Sequence, residues 1–416
     1  MSVVGSQQRT LLQLLLQLRP NWRTDRNLPA RIQALLARNR SFGSRDRRLY
    51  RELVYTAIRY LPWIEPLLAD DGERAVRLIA WLAADVPATA PFRRELVSDL
   101  PACPDHVIEK AELINRDDAL KLFRPGGDGK LDAADLLPGW LSSQCPAAFL
   151  PDQMTALLTR APLWLRLNRD TMELAKAEFD RLHWPSRVSA VLPTAVQLLN
   201  EVDVTRADGF NAGWFEVQDL GSQLLLASAK IEGGGCWLDA CAGAGGKTLQ
   251  LSALLGETGR IDAFDIRRAA LDELEMRARR ARATNINLLR APPTKSYDGV
   301  LVDAPCTGSG TWRRAPHLKW STTIAQVAAA AATQRMLLAQ FAERVNVGGH
   351  LLYATCSINR DENEGVVEQF LATQPRFVSE PPARSFDGIL RGGGLTFLPA
   401  QHDSDGFFIA AFRRVT

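Results

Sequence analysis

Residues 297–310 read YDGVLVDAPCTGSG, and the reading of this stretch decides the fold. Gly299 to Val302 are apolar or small and lead into Asp303, after which Ala304-Pro305-Cys306 and Thr307-Gly308-Ser309-Gly310 follow. A short apolar run that stops at an acid, a proline and glycines predicts a buried parallel strand whose carboxyl end opens into a loop. In open α/β sheets ligands sit at that end. Here it presents a carboxylate and a thiol, so the question is what chemistry needs both.

Working outward, strands and helices alternate from residue 216 onward. CWLDA (236–240), RIDAFD (260–265), DGVLVDA (298–304) and HLLYATC (350–356) read as strands. IAQVAAAAATQRMLLAQFAERV (324–345) reads as a helix ended by Gly348-Gly349. This alternation predicts a parallel sheet with helices on both faces.

The earlier part of the chain differs. In residues 1–60, Leu11, Leu14, Leu15 and Leu18 share one helical face, and Leu49, Leu53, Ala57 and Ile58 share another, with Ser41 or Ser44 as candidate cap. Helical pattern continues to about residue 122, and RPGGDGKLDAADLLPGW (124–140) reads as a linker. Its GDGKLDAAD is a poor calcium loop, because the first acidic pair and the terminal Glu are missing. Between 141 and 215 the pattern mixes a strand, LWLRLN (163–168), with a helix, TMELAKAEFDRL (171–182). The expected division is therefore a helical part with linker at 1–140, a small α/β subdomain at 141–215 and a larger α/β domain at 216–416.

Composition narrows the class. At 416 residues the chain exceeds one ordinary core. The apolar stretch Leu11–Leu18 is broken by Gln13 and Gln17, so it predicts an amphipathic helix and not a signal peptide. No apolar run is long enough for a membrane span, so no membrane partner is expected. The six cysteines lack CxxC or Cys/His spacing, which disfavours a zinc or disulfide framework, and free thiols fit a cytoplasmic location. The net charge of +3 is uneven: residues 1–60 hold twelve arginines and three acids, a local +9 that leaves −6 elsewhere. Arg45, Arg47, Arg48 and Arg51 cluster at a helix start, against the favourable sign for its dipole. Such a basic arm points to nucleic acid, with a solvated helix surface as the plain alternative.

Three places carry chemistry. The first βα turn, DACAGAGGKT (239–248), has small residues that let a ligand approach the backbone at a helix start. It is neither GxGxxG nor a Walker loop, so by itself it fits any nucleotide-like cofactor. Asp265 ends the next strand, where a carboxylate grips ribose hydroxyls, although capping of the following helix would also use it. Cys306 and Cys356 then fall at the carboxyl ends of two strands that would be neighbours in a doubly wound sheet. One cysteine there would mean little. Two are less expected by chance.

The strings DACAGAGGKT, VLVDAPCTGSGTWRRAPHLKW, LLYATCSINRDENE and HDSDGFFIAAFRR resemble consecutive motifs of the RsmB/Nop/Sun family of RNA 5-methylcytosine methyltransferases. EVQDLGSQL (216–224) is similar to the opening motif of that family's catalytic domain, and GSRDRRLYRELVYTAIRY (43–60) resembles the NusB-like helical domain preceding it in some bacterial rRNA methyltransferases. The resemblance implies a Rossmann-like seven-stranded methyltransferase sheet, preceded by an all-α NusB-like domain. It implies S-adenosyl-L-methionine as cofactor, held by Asp239, Ala240, Cys241, Ala242, Gly243, Ala244, Gly245, Gly246, Lys247, Asp265 and Asp303. It also assigns roles: Cys356 attacks carbon 6 of cytosine, Cys306 assists product release, Asp303 holds the base, and Lys247 contacts Asp303. Pro305-Cys306 alone would suggest the opposite thiol, as in DNA cytosine methyltransferases. One departure stands out, because NINLLRAPPTKSYDG (285–299) has no acid between Asn285 and Asp298, where the family places one near the adenine.

Trp312, Arg313, Arg314, His317, Lys319 and Trp320 mix cations with aromatics, as binding of single-stranded RNA would require; ordinary packing is the alternative. The expected function is methylation of RNA cytosine, rRNA favoured over tRNA, by a monomer. A tRNA enzyme, a non-catalytic RNA-binding or ribosome-assembly factor and a nicotinamide oxidoreductase are the competing readings; intact Asp303, Cys306 and Cys356 weigh against the last two.

Overall fold

Leu11, Leu14, Leu15 and Leu18 are all buried on one side of the helix Val3–Leu18. The same periodicity buries Leu49, Leu53, Ala57 and Ile58 of the helix Ser44–Arg59 and leaves Arg45, Arg47, Arg48 and Arg51 exposed. In the computed structural model, which describes residues 2–416, the chain forms two units. One comprises the chain up to Thr159 together with Trp312–Thr323; the other comprises Arg160–Thr311 and Ile324–Thr416.

The first unit is helical, with Trp22, Trp63 and Trp81 fully buried. The helix Ser44–Arg59 is capped neither by Ser41 nor by Ser44. Gly43 is its N-cap, and the Gly43 N–H donates to Asp46 Oδ2 at 3.0 Å. That acid in the first turn offsets part of the unfavourable arginine charge. The stretch 124–140, expected as a linker, is packed inside this unit. Asn115 exchanges two hydrogen bonds with the Leu131 backbone, Trp63 Nε1 donates to the Asp132 carbonyl, and Leu131, Leu136 and Leu137 are buried. Its glycines shape turns, while its leucines fill the core.

The second unit holds two sheets. β1 (Leu163–Leu167), β2 (Ser186–Val188), β3 (Ala195–Leu198) and β4 (Phe215–Val217) form an antiparallel sheet in the order β2-β3-β1-β4. The main sheet contains β5 (Cys236–Asp239), β6 (Arg260–Phe264), β7 (Ile286–Leu289), β8 (Tyr297–Asp303), β9 (Val345–Thr355), β10 (Phe377–Glu380), β11 (Ile389–Arg391), β12 (Gly394–Phe397) and β13 (Phe407–Arg414). Its order is β11-β12-β13-β9-β8-β5-β6-β7, with β10 also on β13. β5 to β9 run parallel, and β13 is antiparallel to β9.

The sheet thus has nine strands where seven were expected. The addition is a hairpin in which Arg391 pairs with Gly394 and the turn residues Gly392 and Gly393 have φ of 52° and 77°. Positive φ at both central positions is the two-residue turn that glycine favours. A second difference lies after the helix Ile324–Ala342. Gly348 and Gly349 do not end it but lie inside β9, beside a register shift against β8 between Tyr297 and Gly299. Val300, Leu301 and Val302 of β8 have no exposed surface, as a strand covered on both faces requires. Among the described residues, no helix is long and apolar enough to cross a membrane and no cluster of His, Cys, Asp or Glu is arranged to hold a metal ion.

Candidate active site

β8 and β9 pair in parallel with Asp303 opposite Ala354, so both strands deliver their next residues to one place. Cys306 follows three residues after Asp303, and Cys356 follows two after Ala354. Their Sγ atoms are 3.2 Å apart, and both residues are half-buried free thiols. This is the juxtaposition expected from two cysteines at consecutive strand ends. Cys306 is pushed well above the usual thiol range, first by its hydrogen bond with Cys356, then by burial and by the charges of Cys356 and Glu362.

Beside the thiols, Lys247 Nζ donates to Asp303 Oδ2 at 2.8 Å. Burial pushes the ammonium down, but the adjacent Asp303 and Cys356 outweigh it, and the net direction is up. Lys247 is therefore held as a cation. It also lies 5.4 Å from the ring centroid of Phe407.

The loop 239–248 has the shape a ligand cradle needs. Gly243 and Gly245 have φ of 54° and 87°, and a Cβ on Gly245 would sit 2.1 Å from Leu274 Cδ1. Only glycine fits there. A Cβ on Gly246 would meet nothing within 4 Å, so the start of the helix Gly246–Leu255 is open. The expected members of this cradle, Asp239 to Lys247, occupy one turn between β5 and that helix. Their side chains differ in accessibility: Asp239 is buried and accepts from Thr248 Oγ1 at 2.7 Å, and burial, with the charges of Asp239, Asp303 and Asp265, raises Cys241 above the usual thiol range. Asp265 reaches this loop from the end of β6, accepting from the Gly243 N–H and the Arg267 N–H at 2.8 Å each. Burial works against its ionisation, yet the hydrogen bonds from Arg267 and Gly243 hold it below the usual carboxylate range.

Several contributors were missed in the sequence. Arg277 donates to the Ala244 carbonyl at 2.8 Å and to Glu216, which is itself buried and also bonded by Arg280. A basic residue on the face of a helix gives no sign that it braces a distant loop. Glu362 has no exposed surface and gathers hydrogen bonds from both cysteine-bearing loops. An acid flanked by Asn359 and Asn363 six residues after Cys356 was a usable signal, since polar residues so close to a buried strand end need partners.

The segment after the first cysteine loop corrects an expectation. Trp312, Arg313, His317 and Lys319 are buried within the helical unit and do not form an RNA surface. Lys319 Nζ donates to the Arg59 carbonyl at 2.9 Å, Trp320 Nε1 to the Ile58 carbonyl at 2.6 Å, and Trp312 meets Trp140 edge-on at 6.1 Å. The aromatic-cationic mix serves packing here, with Arg314 left exposed.

Residues 226–413 match the family described as 16S rRNA methyltransferase RsmB/F. The chain is 34% identical over 304 residues to the ribosomal RNA small subunit methyltransferase B of Sodalis glossinidius, across 68% of this chain and 67% of that one. This chain belongs to the RsmB/F family. It is also 33% identical over 261 residues to a probable ribosomal RNA small subunit methyltransferase B of Synechocystis, covering 60% of this chain and 58% of that relative. The RsmB/F chain thus spans between about half and two thirds of these relatives' own length. Among solved structures, PH0851 has the same fold, with a TM-score of 0.69 at 21% identity over 92% of this chain and 93% of that one.

Proposed function

We propose that this RsmB/F-family protein transfers a methyl group from S-adenosyl-L-methionine to carbon 5 of a cytosine in RNA, with rRNA the favoured substrate. The observation that carries this reading is the pair of thiols 3.2 Å apart beside the Lys247–Asp303 pair. Carbon 5 of cytosine is a poor nucleophile. Addition of the Cys356 thiolate to carbon 6 makes the ring an enamine, dividing one hard step into easier ones. In this reading Asp303 holds the base by its ring nitrogen and exocyclic amine, and Lys247 keeps the carboxylate oriented; the 2.8 Å bond from Lys247 Nζ to Asp303 Oδ2 supports the second role. The glycine-rich loop 239–247 and Asp265 suit a ribose-bearing cofactor, which supplies the electrophilic methyl group. Release breaks the sulfur–carbon 6 bond, returns its electrons to Cys356 and removes the carbon 5 proton, the step assisted by Cys306.

In the same reading the exposed arginines of the first helical unit act as an RNA-binding, NusB-like part at 1–140, the small sheet forms a connecting subdomain at 141–215, and 216–416 carries catalysis. The base must be unstacked for attack on its ring face. With no acid between Asn285 and Asp298, the adenine is held by backbone groups or with weakened affinity.

The test uses labelled methyl transfer to unmodified rRNA and tRNA. Cys356→Ala abolishes transfer, whereas Cys306→Ala leaves a denaturation-resistant protein–RNA adduct. An adduct with the first variant and not the second reverses the roles of the thiols, and no transfer by the unaltered chain to either RNA removes the enzymatic reading.

A further inference from the structure

Glu362 is buried at the junction of the two cysteine loops and is bonded on all sides. Its Oε1 accepts from the Thr307 N–H at 2.8 Å and from Gln334 Nε2 at 3.0 Å. Its Oε2 accepts from Thr307 Oγ1 at 2.5 Å, Ser357 Oγ at 2.7 Å and Asn359 Nδ2 at 2.8 Å. Five neutral donors converge on the two oxygens, and no Lys or Arg pairs with them among the described residues. Such a ring of donors suits a carboxylate, yet leaves its negative charge uncancelled.

The placement is asymmetric with respect to the two thiols. Thr307, bonded twice, is the residue after Cys306, and Gln334 bridges Glu362 to the Pro305 carbonyl at 3.0 Å, so Cys306 is gripped on both sides. On the other loop the carboxylate holds Ser357, which follows Cys356 and bonds Ser309 Oγ at 3.0 Å. The cation of the site stands elsewhere, since Lys247 is paired with Asp303 and its charge is stabilised by Cys356. The carboxylate thus brackets Cys306 through both Pro305 and Thr307, but meets the Cys356 loop only through side chains that follow the cysteine.

We propose that Glu362 is a positioning residue that decides which thiol of the pair is ionised, keeping the proton on Cys306 and leaving the negative charge on Cys356. The pair gives one proton to water and keeps one, and the retained proton on the Cys306 sulfur bridges to Cys356 Sγ. No bond to carbon and no oxidation is involved. The inference rests on the cytosine reading only for the use made of the thiolate. It explains in electrostatic terms why the second cysteine attacks, although the Pro-Cys thiol is the more familiar nucleophile. The direction of the Cys306 shift agrees.

The experiment is iodoacetamide alkylation of the RNA-free full chain across a pH series, with Cys306 and Cys356 quantified separately by peptide mass spectrometry. The unaltered protein is expected to react faster at Cys356 near neutral pH. Glu362→Gln keeps the size and removes the charge, and is expected to raise the Cys306-to-Cys356 ratio on the order of tenfold, the effect of one nearby charge at partly buried sites. Glu362→Asp retains the charge and is expected to keep the original preference. An unchanged ratio in folded Glu362→Gln, or the same inversion in Glu362→Asp, overturns the proposal. Should Glu362→Gln fail to fold, a titration of the unaltered chain with 13Cβ-labelled cysteine decides, because ionisation of Cys306 before Cys356 also overturns it. As no RNA is present, a failure here is separate from a failure to methylate.

Discussion

Lys247 Nζ, in the first turn of the helix Gly246–Leu255, and Asp303 Oδ2, at the end of β8, are joined at 2.8 Å, with 11% of the lysine side chain and 28% of the aspartate side chain exposed. The pair links the glycine-rich loop 239–247 to the strand that carries the Pro-Cys turn. Lys247→Met removes the cation while keeping most of the packing. Methyl transfer is expected to fall on the order of a hundredfold in kcat, with a smaller change in cofactor affinity. Single-turnover kinetics with isothermal titration of the cofactor separates the two effects, and a kcat within a few-fold of the original would make the pair merely structural.

The 3.2 Å contact between Cys306 and Cys356 also predicts redox behaviour. With diamide as oxidant, the two thiols should form an intramolecular disulfide. Activity is expected to disappear and to return with dithiothreitol, and peptide mapping should find the bridge between residues 306 and 356. Oxidation that instead spares both thiols would contradict the observed proximity.

Asp239 gives a pH dependence to stability. Its carboxyl is pushed up to about 7, chiefly by burial, with the Thr248 hydrogen bond opposing and the Asp303 charge adding to the rise. In the unfolded chain it ionises near the ordinary value, so between about pH 4 and pH 7 the folded state binds more protons. Its contribution is complete below that range and is lost as pH rises through the folded value, by on the order of 4 kcal/mol at most. Asp239→Asn should flatten the fall in Tm over that range, measured by scanning calorimetry at several pH values.

Lys319 makes the opposite case for a cation. It is 1% exposed, and burial first, then the charge of Arg59, pushes its ammonium well below the usual lysine range. The unfolded chain therefore binds more protons at Lys319 between the depressed folded value and the ordinary lysine value, and stability from this group rises with pH across that range. Lys319→Met keeps an apolar side chain of similar length and removes the buried charge, which lies 4.6 Å from the Trp320 ring centroid. It is expected to raise Tm by a few degrees near neutral pH, the gain shrinking at higher pH.

Strands β8 and β9 were legible because burial on both faces writes itself as Val300-Leu301-Val302 ending at an acid, and the meeting of the two cysteines needed only the rule that parallel neighbours end together. The first helical faces were equally clear, since Leu11 and Leu49 begin runs at helical spacing. The hairpin 389–397 escaped, although its glycine pair is a turn signal, because its strands are short. The fate of Trp312 to Trp320 could not be read locally. Aromatics and cations suit either a core edge or an RNA surface, and only the partners Arg59, Ile58 and Trp140, distant in sequence, decide between them. Glu362 left only a partial signal in its polar neighbours, because three of the five hydrogen bonds that its carboxylate accepts come from Thr307 and Gln334, distant in sequence.

Because Trp312–Thr323 completes the helical unit, that unit is not finished when its first 159 residues have been made. On the ribosome its N-terminal helices must wait, with the contacts of Arg59 and Trp140 unfilled, until residue 323 has left the exit tunnel. A fragment cut at Thr159 lacks the same wedge of Trp312, His317 and Lys319. The helical unit thus closes only after residues 160–311 of the larger unit have already been synthesised.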